Sequence, residues 1–177
     1  MQPGSIDFGH AFEHLVIQEL MAYLDYRSLD ETLTYWRTSS GYEITDKVAG
    51  RDGKLTRRWT HDSPTKGAGA YGEGAHSFSV ADVNGDGKDD IVYGAATIKH
   101  DGTLLYRTGL GHGDALHLTD LDPNRSGQEV FMVHEETGAA YGMEMHDAAT
   151  GKILWGVKTG VDTGRGMCAD IDPAFPG

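Results

Sequence analysis

The chain has 177 residues, with 27 acidic and 15 basic side chains and a formal net charge of −12. This length suits one ordinary domain and excludes two large ones. The acidic balance argues against a general nucleic-acid binder, because phosphate contacts require Lys and Arg. Cys168 is the only cysteine, so an internal disulfide is excluded. The first residues hold neither a basic region nor a long apolar run, so we expect no signal peptide and no membrane segment, and a cytoplasmic location for the chain as it stands.

Residues 1–46 are predicted to be a helix followed by a strand. Apolar side chains recur at helical spacing over residues 7–26, and Asp7 is placed to cap the helix N-terminus. Residues 33–38 are rich in Thr and aromatic side chains, which is typical of a strand, and a Ser/Gly turn follows. We therefore treat residues 1–46 as an α-helix/strand fragment distinct from the rest of the chain.

This fragment resembles the C-terminal nuclease-like domain of a family of prokaryotic AAA-type ATPases over about the first 45 residues. The resemblance implies a PD-(D/E)xK nuclease fold in which Glu13 would hold Mg²⁺. Thr45 stands where an acidic ligand is expected, and no Glu-x-Lys follows. Metal-assisted phosphodiester cleavage needs several carboxylates on one ion, so we expect Glu13 to be a surface or capping carboxylate. The matching residues are AFE at 11–13, EL at 19–20, AY at 22–23, YWRT at 35–38, Gly41 and EI at 43–44.

The remaining chain, residues 47–177, is built from a repeat. Gly53, Gly102 and Gly151 each belong to a hairpin signal, and they are spaced 49 residues apart. A second motif, an Asp between apolar residues with a further Asp or Asn, begins similar loops at 80–84, 118–122 and 168–172. A period near about 50 residues with several short strands per unit is typical of propeller blades. We therefore predict a mainly β chain, with a partial β-propeller of about two and a half blades.

Residues 82–90, DVNGDGKDD, are the sharpest local motif. Oxygen donors recur at alternate positions, and Gly85 and Gly87 let the chain curl tightly enough for these oxygens to converge. Ca²⁺ takes about 6–8 oxygen ligands, so the spacing predicts a calcium loop. The alternative is an Asp/Gly turn that only caps a hairpin. The predicted ligands are Asp82, Asn84, Asp86, the backbone carbonyl of Lys88, and Asp90.

Residues 120–129 are a looser copy of this loop. Arg125 and a one-residue extension weaken the similarity. A third copy begins at Asp170 and Asp172. The predicted ligands of the second loop are Asp120, Asp122, Asn124 and Glu129.

Four longer segments of the β region are similar to family 11 rhamnogalacturonan lyases, in the order in which that family has them. The resemblance covers about residues 48–177. It implies a secreted, Ca²⁺-dependent enzyme with an eight-bladed β-propeller. It also implies eliminative cleavage of the galacturonate–rhamnose backbone of rhamnogalacturonan I, a pectic polysaccharide. The segments are GAHSFSVAD at 74–82, GLGHGDALH at 109–117, EVFMVHEE at 129–136 and DTGRG at 162–166.

The resemblance further implies a metal site in the catalytic cleft, with His76, His112, Asp114 and Glu135 as ligands. Considered without the family, two imidazoles and two carboxylates favour Zn²⁺ or another transition metal, whereas the family points to Ca²⁺. Arg165 matches the cleft arginine and would clamp a substrate carboxylate or stabilise developing charge. Its alternative role is an ion pair with a neighbouring blade.

Two functions are consistent with these patterns. The first is a lyase fragment that keeps the metal-binding part of the cleft and has little activity alone. The second is a calcium-stabilised propeller module that binds carbohydrate or protein without catalysis. The histidine–carboxylate set separates them, because a purely structural propeller does not need it. We assign His117, His134 and His146 to structural hydrogen bonding.

Overall fold

The computed structural model of the chain describes residues 34–39, 43–49 and 54–169. Within these ranges the regular elements are strands, which confirms the predicted mainly β class. No helix there is long and apolar enough to cross a membrane. The helix predicted over residues 7–26 and the loop beginning at 170–172 lie outside the described ranges. The strands are β1 (Thr34–Ser39), β2 (Glu43–Ala49), β3 (Leu55–Asp62), β4 (Gly74–Ala81), β5 (Asp90–Gly94), β6 (Ala96–Ile98), β7 (Leu104–Arg107), β8 (Leu116–Thr119), β9 (Glu129–Val133), β10 (Met143–Asp147) and β11 (Ile153–Val157).

The chain divides into two compact units. Met1–Arg37 and Thr45–Thr60 form the first unit, and Thr38–Ile44 and His61–Gly177 form the second. Strands β1, β2 and β3 pair in that order in a three-stranded sheet, so the strand predicted at residues 33–38 is present as β1. Both Asp-rich loops and all ligands of the predicted cleft belong to the second unit.

The second unit contains two four-stranded antiparallel sheets of the same design. Each is a meander, β4-β5-β6-β7 in one sheet and β8-β9-β10-β11 in the other. The second strand of each sheet, β5 or β9, begins with a buried carboxylate and continues as a short apolar run, and all but one of the side chains in these two strands are buried. An apolar run without alternation is typical of a strand covered on both faces. The two sheets therefore have equivalent central strands.

One apolar cluster joins the two meanders. Val92 of β5 and Met132 of β9 are both fully buried in it. Burying apolar surface contributes about 25 cal/mol per Å², so this shared core holds the two sheets together. Its buried members are Val83, Val92, Ala95, Leu116, Val130, Met132 and Ala148.

Because neighbouring strands are antiparallel, the connections alternate between the two ends of the sheets. Strands β4 and β8 begin side by side, through a parallel bridge between Ala75 and Gly113. This bridge places the starts of both meanders at the same end of the unit. We call that end, formed by residues 73–76, 108–115, 134–142 and 158–166, the histidine end. We call the opposite end, formed by residues 82–89, 99–103, 120–128 and 148–152, the Asp-loop end.

Candidate active site

The four ligands predicted for the cleft meet at the histidine end. His76 lies in β4, His112 and Asp114 lie in the β7–β8 connection, and Glu135 follows β9. Nε2 of His76 lies 3.3 Å from Nε2 of His112, 3.3 Å from Oδ1 of Asp114 and 3.7 Å from Oε1 of Glu135. Nε2 of His112 lies 3.8 Å from the same Glu135 oxygen. His76, His112 and Glu135 thus direct their ligand atoms into one small volume, and Asp114 joins it through its contact with His76.

Backbone hydrogen bonds between the two sheets hold these side chains together. The amide of His76 donates to the carbonyl of Gly113 at 3.2 Å, and the amide of Glu135 donates to the carbonyl of His112 at 3.0 Å. Gly113 lies so close to β9 that a Cβ at this position would collide with the carbonyl oxygen of Val133. A glycine at position 113 is therefore what lets the β7–β8 connection approach β9.

Arg165 reaches the cluster from the segment that follows β11. Its Nη1 lies 3.0 Å from Oδ2 of Asp114, although its side chain is 84% exposed. The segment is anchored where the amide of Thr163 donates to the carbonyl of His134 at 3.0 Å. A Cβ at Gly164 would lie 3.2 Å from the Asp114 carboxylate, so the chain passes directly over it. An acidic ligand that arrived here would meet the guanidinium and the ligand cluster together.

The donor set fits a divalent cation. His76, His112 and Glu135 offer ligand atoms that all lie within 4.8 Å of one another. Asp114 adds a carboxylate that is only 14% exposed and faces His76. Imidazole nitrogens favour transition metals, whereas carboxylate oxygens serve those metals and Ca²⁺ alike. Four protein ligands would leave coordination positions for oxygens of a substrate.

Comparison with known proteins identifies the family. The sequence matches the C-terminal domain of rhamnogalacturonan lyase family 11 over residues 18–177. This chain belongs to rhamnogalacturonan lyase family 11. Over 128 residues it is 61% identical to rhamnogalacturonan endolyase YesW and 60% identical to rhamnogalacturonan exolyase YesX, both of Bacillus subtilis (strain 168). Each match covers 72% of this chain and 21% of the relative, so the chain spans about a fifth of the length of these curated relatives.

Solved structures of family 11 lyases share the fold of this chain. The crystal structure of rhamnogalacturonan lyase YesW aligns with a TM-score of 0.74 at 54% identity, covering 82% of this chain and 25% of that one. The rhamnogalacturonan lyase of Bacillus licheniformis aligns with a TM-score of 0.73 at 54% identity, covering 81% and 25%. At 54% identity, this chain resembles these two lyases in sequence as well as in fold.

The family 11 match begins at residue 18, within the segment that resembles a nuclease-like domain. That resemblance, with its Glu13, stays a prediction, and residues 1–33 lie outside the described ranges. The predicted boundary between residues 46 and 47 also stays a prediction.

In the loop at 82–90 of this family 11 chain, the predicted calcium ligands accept hydrogen bonds from the loop's own amides. Asp82 accepts three backbone amides at 2.8–3.1 Å, and Asn84 accepts the amide of Asp86 at 2.9 Å. The Asn84 side-chain nitrogen donates to Asp90 at 2.7 Å. The oxygens predicted to bind Ca²⁺ are therefore gathered around one loop at the Asp-loop end.

Asp90 is the buried member of this loop. Its side chain has 0% exposure and accepts the amide of His100 at 3.2 Å. Burial raises the pKa of the Asp90 carboxyl, and the nearby charges of Asp86 and Asp82 add to the rise. The Lys88 ammonium lies 3.1 Å from Nε2 of His100 instead of contacting these carboxylates at hydrogen-bond distance. A cation in the loop would relieve this concentration of negative charge.

The second Asp-rich loop has a fully buried carboxylate at the equivalent place. Glu129 accepts two loop amides through Oε2, at 2.9 and 3.1 Å. Its Oε1 is buried without a hydrogen-bond partner, and Nε of Arg125 is 3.6 Å away. Asp122 accepts the amide of Asn124 at 3.1 Å, and Asp120 is exposed. This loop therefore brings three of its four predicted ligands into local contacts.

A cleft of about 530 Å³ opens at the histidine end. It adjoins the ligand cluster, because its lining includes Gly111 and Glu136, the neighbours of His112 and Glu135 in the chain. The cleft therefore lies next to the backbone that carries His112 and Glu135. Its charged and aromatic lining residues also include Lys66, Tyr71, Glu73 and Arg107.

Sequence reasoning missed part of a buried polar cluster behind the site. His134, Glu144 and His146 all have 0% exposure. Structural roles were predicted for the two histidines, but their common partner Glu144 was not identified. The available signal was spacing, because Glu144 and His146 are two residues apart on β10 and therefore share a face of that strand.

Proposed function

We propose that this chain supplies the metal-binding part of the cleft of a calcium-dependent rhamnogalacturonan lyase. The observation that carries the proposal is the convergence of His76, His112, Asp114 and Glu135, with Arg165 beside Asp114. The names of the relatives YesW and YesX, a rhamnogalacturonan endolyase and exolyase, support the substrate class. The partner is then a pectic polysaccharide with a backbone of galacturonate and rhamnose.

The reaction needs positive charge beside the galacturonate carboxylate. In β-elimination a basic side chain takes the proton at C5, and the electron pair forms a double bond to C4. The bond from C4 to the oxygen of the neighbouring sugar breaks, and that oxygen takes up a proton. The charge that develops at C5 spreads onto the carboxylate. Bound Ca²⁺ would act there as a Lewis acid and ease the loss of the proton.

The residues of the histidine end would have two different roles in this reaction. His76, His112, Asp114 and Glu135 would hold the cation, and Arg165 would clamp the uronate carboxylate. A guanidinium has five donors in a fixed fork, so Arg165 can contact a substrate carboxylate while it remains beside Asp114.

The adjoining cleft would take the next sugar of the polysaccharide. Its volume of about 530 Å³ is that of a small-ligand site, which typically has about 300–1,000 Å³. The chain carries a net charge of −12 and repels a polyanion. In the cleft wall the charges of Lys66 and Arg107 are matched by those of Glu73 and Glu136, so the bound cation would be what offsets that repulsion locally.

We propose that the two meanders are adjacent blades of a β-propeller. The support is the 49-residue repeat, the shared core and the parallel approach of β4 and β8. The Asp-rich loops at the opposite end would then bind Ca²⁺ in a structural role. These loops also favour a second candidate function, a calcium-binding propeller module that binds carbohydrate or protein without catalysis.

A chimera tests the lyase proposal and separates it from the second candidate. In the chimera, the matching segment of this chain replaces that of YesW. We expect unsaturated galacturonate products, detected by ultraviolet absorbance, with Ca²⁺ and not with a chelator. Arg165→Ala should lower the rate by about 100-fold or more without unfolding, whereas His117→Ala should leave it unchanged. A folded chimera that binds the polysaccharide without turnover would contradict the lyase proposal and support the binding module.

A further inference from the structure

Four polar side chains form a continuous chain through the core behind the candidate metal centre. The hydroxyl of Tyr106 lies 3.0 Å from Nε2 of His146, and Nδ1 of His146 lies 3.0 and 3.1 Å from the two oxygens of Glu144. Oε1 of Glu144 lies 3.4 Å from Nε2 of His134. Tyr106 is 8% exposed and the other three have 0% exposure. Such groups are costly to bury unless each is paired, so a fully paired chain of four specifies one arrangement of the core.

The buried surroundings shift the pKa values of Tyr106 and Glu144 in opposite directions. Burial raises the pKa of the Tyr106 hydroxyl, so this group stays protonated beside Nε2 of His146. Burial alone would raise the pKa of Glu144, but hydrogen bonds from His134 and His146 outweigh it and lower that pKa. Glu144 therefore lies between the two histidines as the hydrogen-bond partner of both, and it orients the ring of His134.

His134 connects this buried chain to three of the four segments that carry the site. Its Nδ1 lies 3.2 Å from the carbonyl oxygen of Gly111, and since a carbonyl only accepts, Nδ1 is the donor. Gly111 directly precedes the ligand His112. The carbonyl of His134 accepts an amide from the segment that carries Arg165, at 3.0 Å. The backbone of His134 continues directly into the ligand Glu135.

We propose that His134 is a positioning residue for the candidate metal centre, oriented by Glu144 and acting through the carbonyl of Gly111. Loss of the bond to Gly111 would let the β7–β8 connection shift and move His112 away from the other ligands. The role in metal binding rests on the proposed function, whereas the effect on ring placement is a property of the metal-free chain. Partners behind metal ligands typically contribute about 10- to 100-fold to metal affinity.

Two substitutions of His134 distinguish the contact of Nδ1 with Gly111 from the contact of Nε2 with Glu144. In His134→Asn, the side-chain nitrogen takes the place of Nδ1, so the donor to Gly111 is kept and the contact with Glu144 is lost. In His134→Gln, the side-chain nitrogen takes the place of Nε2, so the contact with Glu144 is kept and the donor to Gly111 is lost. Both variants lose the buried imidazole, so a comparison between them cancels that common cost.

Histidine-ring NMR of the purified chain reports on the site itself. Titration with CaCl₂, followed at the ring signals of His76 and His112, gives a Kd for this centre apart from the Asp-rich loops. We expect the Kd to rise about 10- to 100-fold in His134→Gln and to stay within about threefold of wild type in His134→Asn. Without metal, the ring-to-ring contact between His76 and His112, whose centroids are 4.8 Å apart, should weaken only in His134→Gln.

Two outcomes of these measurements would contradict the inference. An unchanged Kd and an unchanged ring contact in His134→Gln would overturn it, and so would equal losses in the two variants. If His134→Gln does not fold, His134→Asn decides alone: a Kd within about threefold of wild type would support the inference, and a rise of about tenfold or more would overturn it. Wild-type ring signals that do not respond to metal would contradict the proposed function, while the metal-free ring contacts would still decide the positioning role.

Discussion

The two ends of the β4–β11 sheets carry polar clusters of opposite construction. At the Asp-loop end, Asp82 and Glu129 accept amides from their own loops, within eight residues along the chain. At the histidine end, His76 and His112 are 36 residues apart in the sequence and meet because β4 and β8 begin side by side. One end is therefore organised by local hydrogen bonds, and the other by the packing of two sheets.

This difference has a consequence for how each end responds to change. A locally bonded loop keeps its geometry when a distant contact is altered, because its partners move with it. A cluster assembled from several segments loses its geometry when any one of them shifts, even by about 1 Å. Substitutions that perturb one end and spare the other test the comparison directly.

Removal of a ligand at the histidine end should give the largest effect. Asp114→Ala deletes one carboxylate of the cluster and the ion-pair partner of Arg165. We expect the Ca²⁺ affinity of this centre to fall at least about 100-fold, since partners behind metal ligands alone contribute about 10- to 100-fold. If the Asp-rich loops bind Ca²⁺ as proposed, the rise in Tm that Ca²⁺ causes through them should persist. Histidine-ring NMR measures the first quantity and thermal melts measure the second.

His117→Ala is the matched control for that experiment. His117 lies in β8, with its ring centroid 6.4 Å from that of Phe131. Its removal should leave the affinity of the histidine-end centre within about threefold of wild type, because the ring belongs to the packing of β8 against β9. Equal losses in the two variants would remove Asp114 from the ligand set.

The same contrast explains what could be predicted from the sequence. The Asp-rich loops could be proposed from spacing, because all donors of each loop lie in one short stretch. The histidine end could be proposed only through the family resemblance, because nothing in the spacing of His76 and Glu135 requires them to meet. The chain from Tyr106 to His134 was missed as a unit because its members lie on β7, on β10 and directly after β9, and the sequence of one strand does not show which strand pairs with it. The close approach of Gly113 to Val133 has the same origin.

Two glycine substitutions compare the two ends by their cost in the free energy of unfolding. A Cβ at Gly113 would meet main-chain atoms of β9, which cannot move aside, so Gly113→Ala should cost about 2–3 kcal/mol. Gly85 has φ +76° and open space around it, so Gly85→Ala should cost only the backbone strain, about 1 kcal/mol. Chemical denaturation measures both free energies of unfolding. A cost at Gly85 as large as that at Gly113 would mean that the Asp-loop end also depends on packing.

The smallest effect that we expect is in the pH dependence of stability, to which the buried carboxylates Asp90 and Glu144 should contribute with opposite signs. The pKa of Asp90 is raised from 3.8 by burial, so between that value and the raised one the folded chain holds a proton that the unfolded chain has lost. Stability contributed by this group therefore falls as the pH rises through that window. The pKa of Glu144 is lowered from 4.5, because hydrogen bonds from His134 and His146 outweigh burial. Its contribution is present above 4.5 and is lost as the pH falls through the lowered value.

Thermal melts across pH, in chelator, resolve these opposite signs. Asp90→Asn should raise Tm at neutral pH in chelator, because it removes a buried charge whose loop partners repel it. With Ca²⁺ the order should reverse, since wild type gains about 2.7 kcal/mol at a Ca²⁺ concentration 100-fold above Kd and the variant loses a ligand. Glu144→Gln should lower Tm at neutral pH, with an effect that fades toward acid. A change of Tm in the same direction for both variants at every pH would contradict this prediction. It would mean that the surroundings of Asp90 and Glu144 act on their charges in the same way, and that the two ends differ only in whether their hydrogen bonds are local.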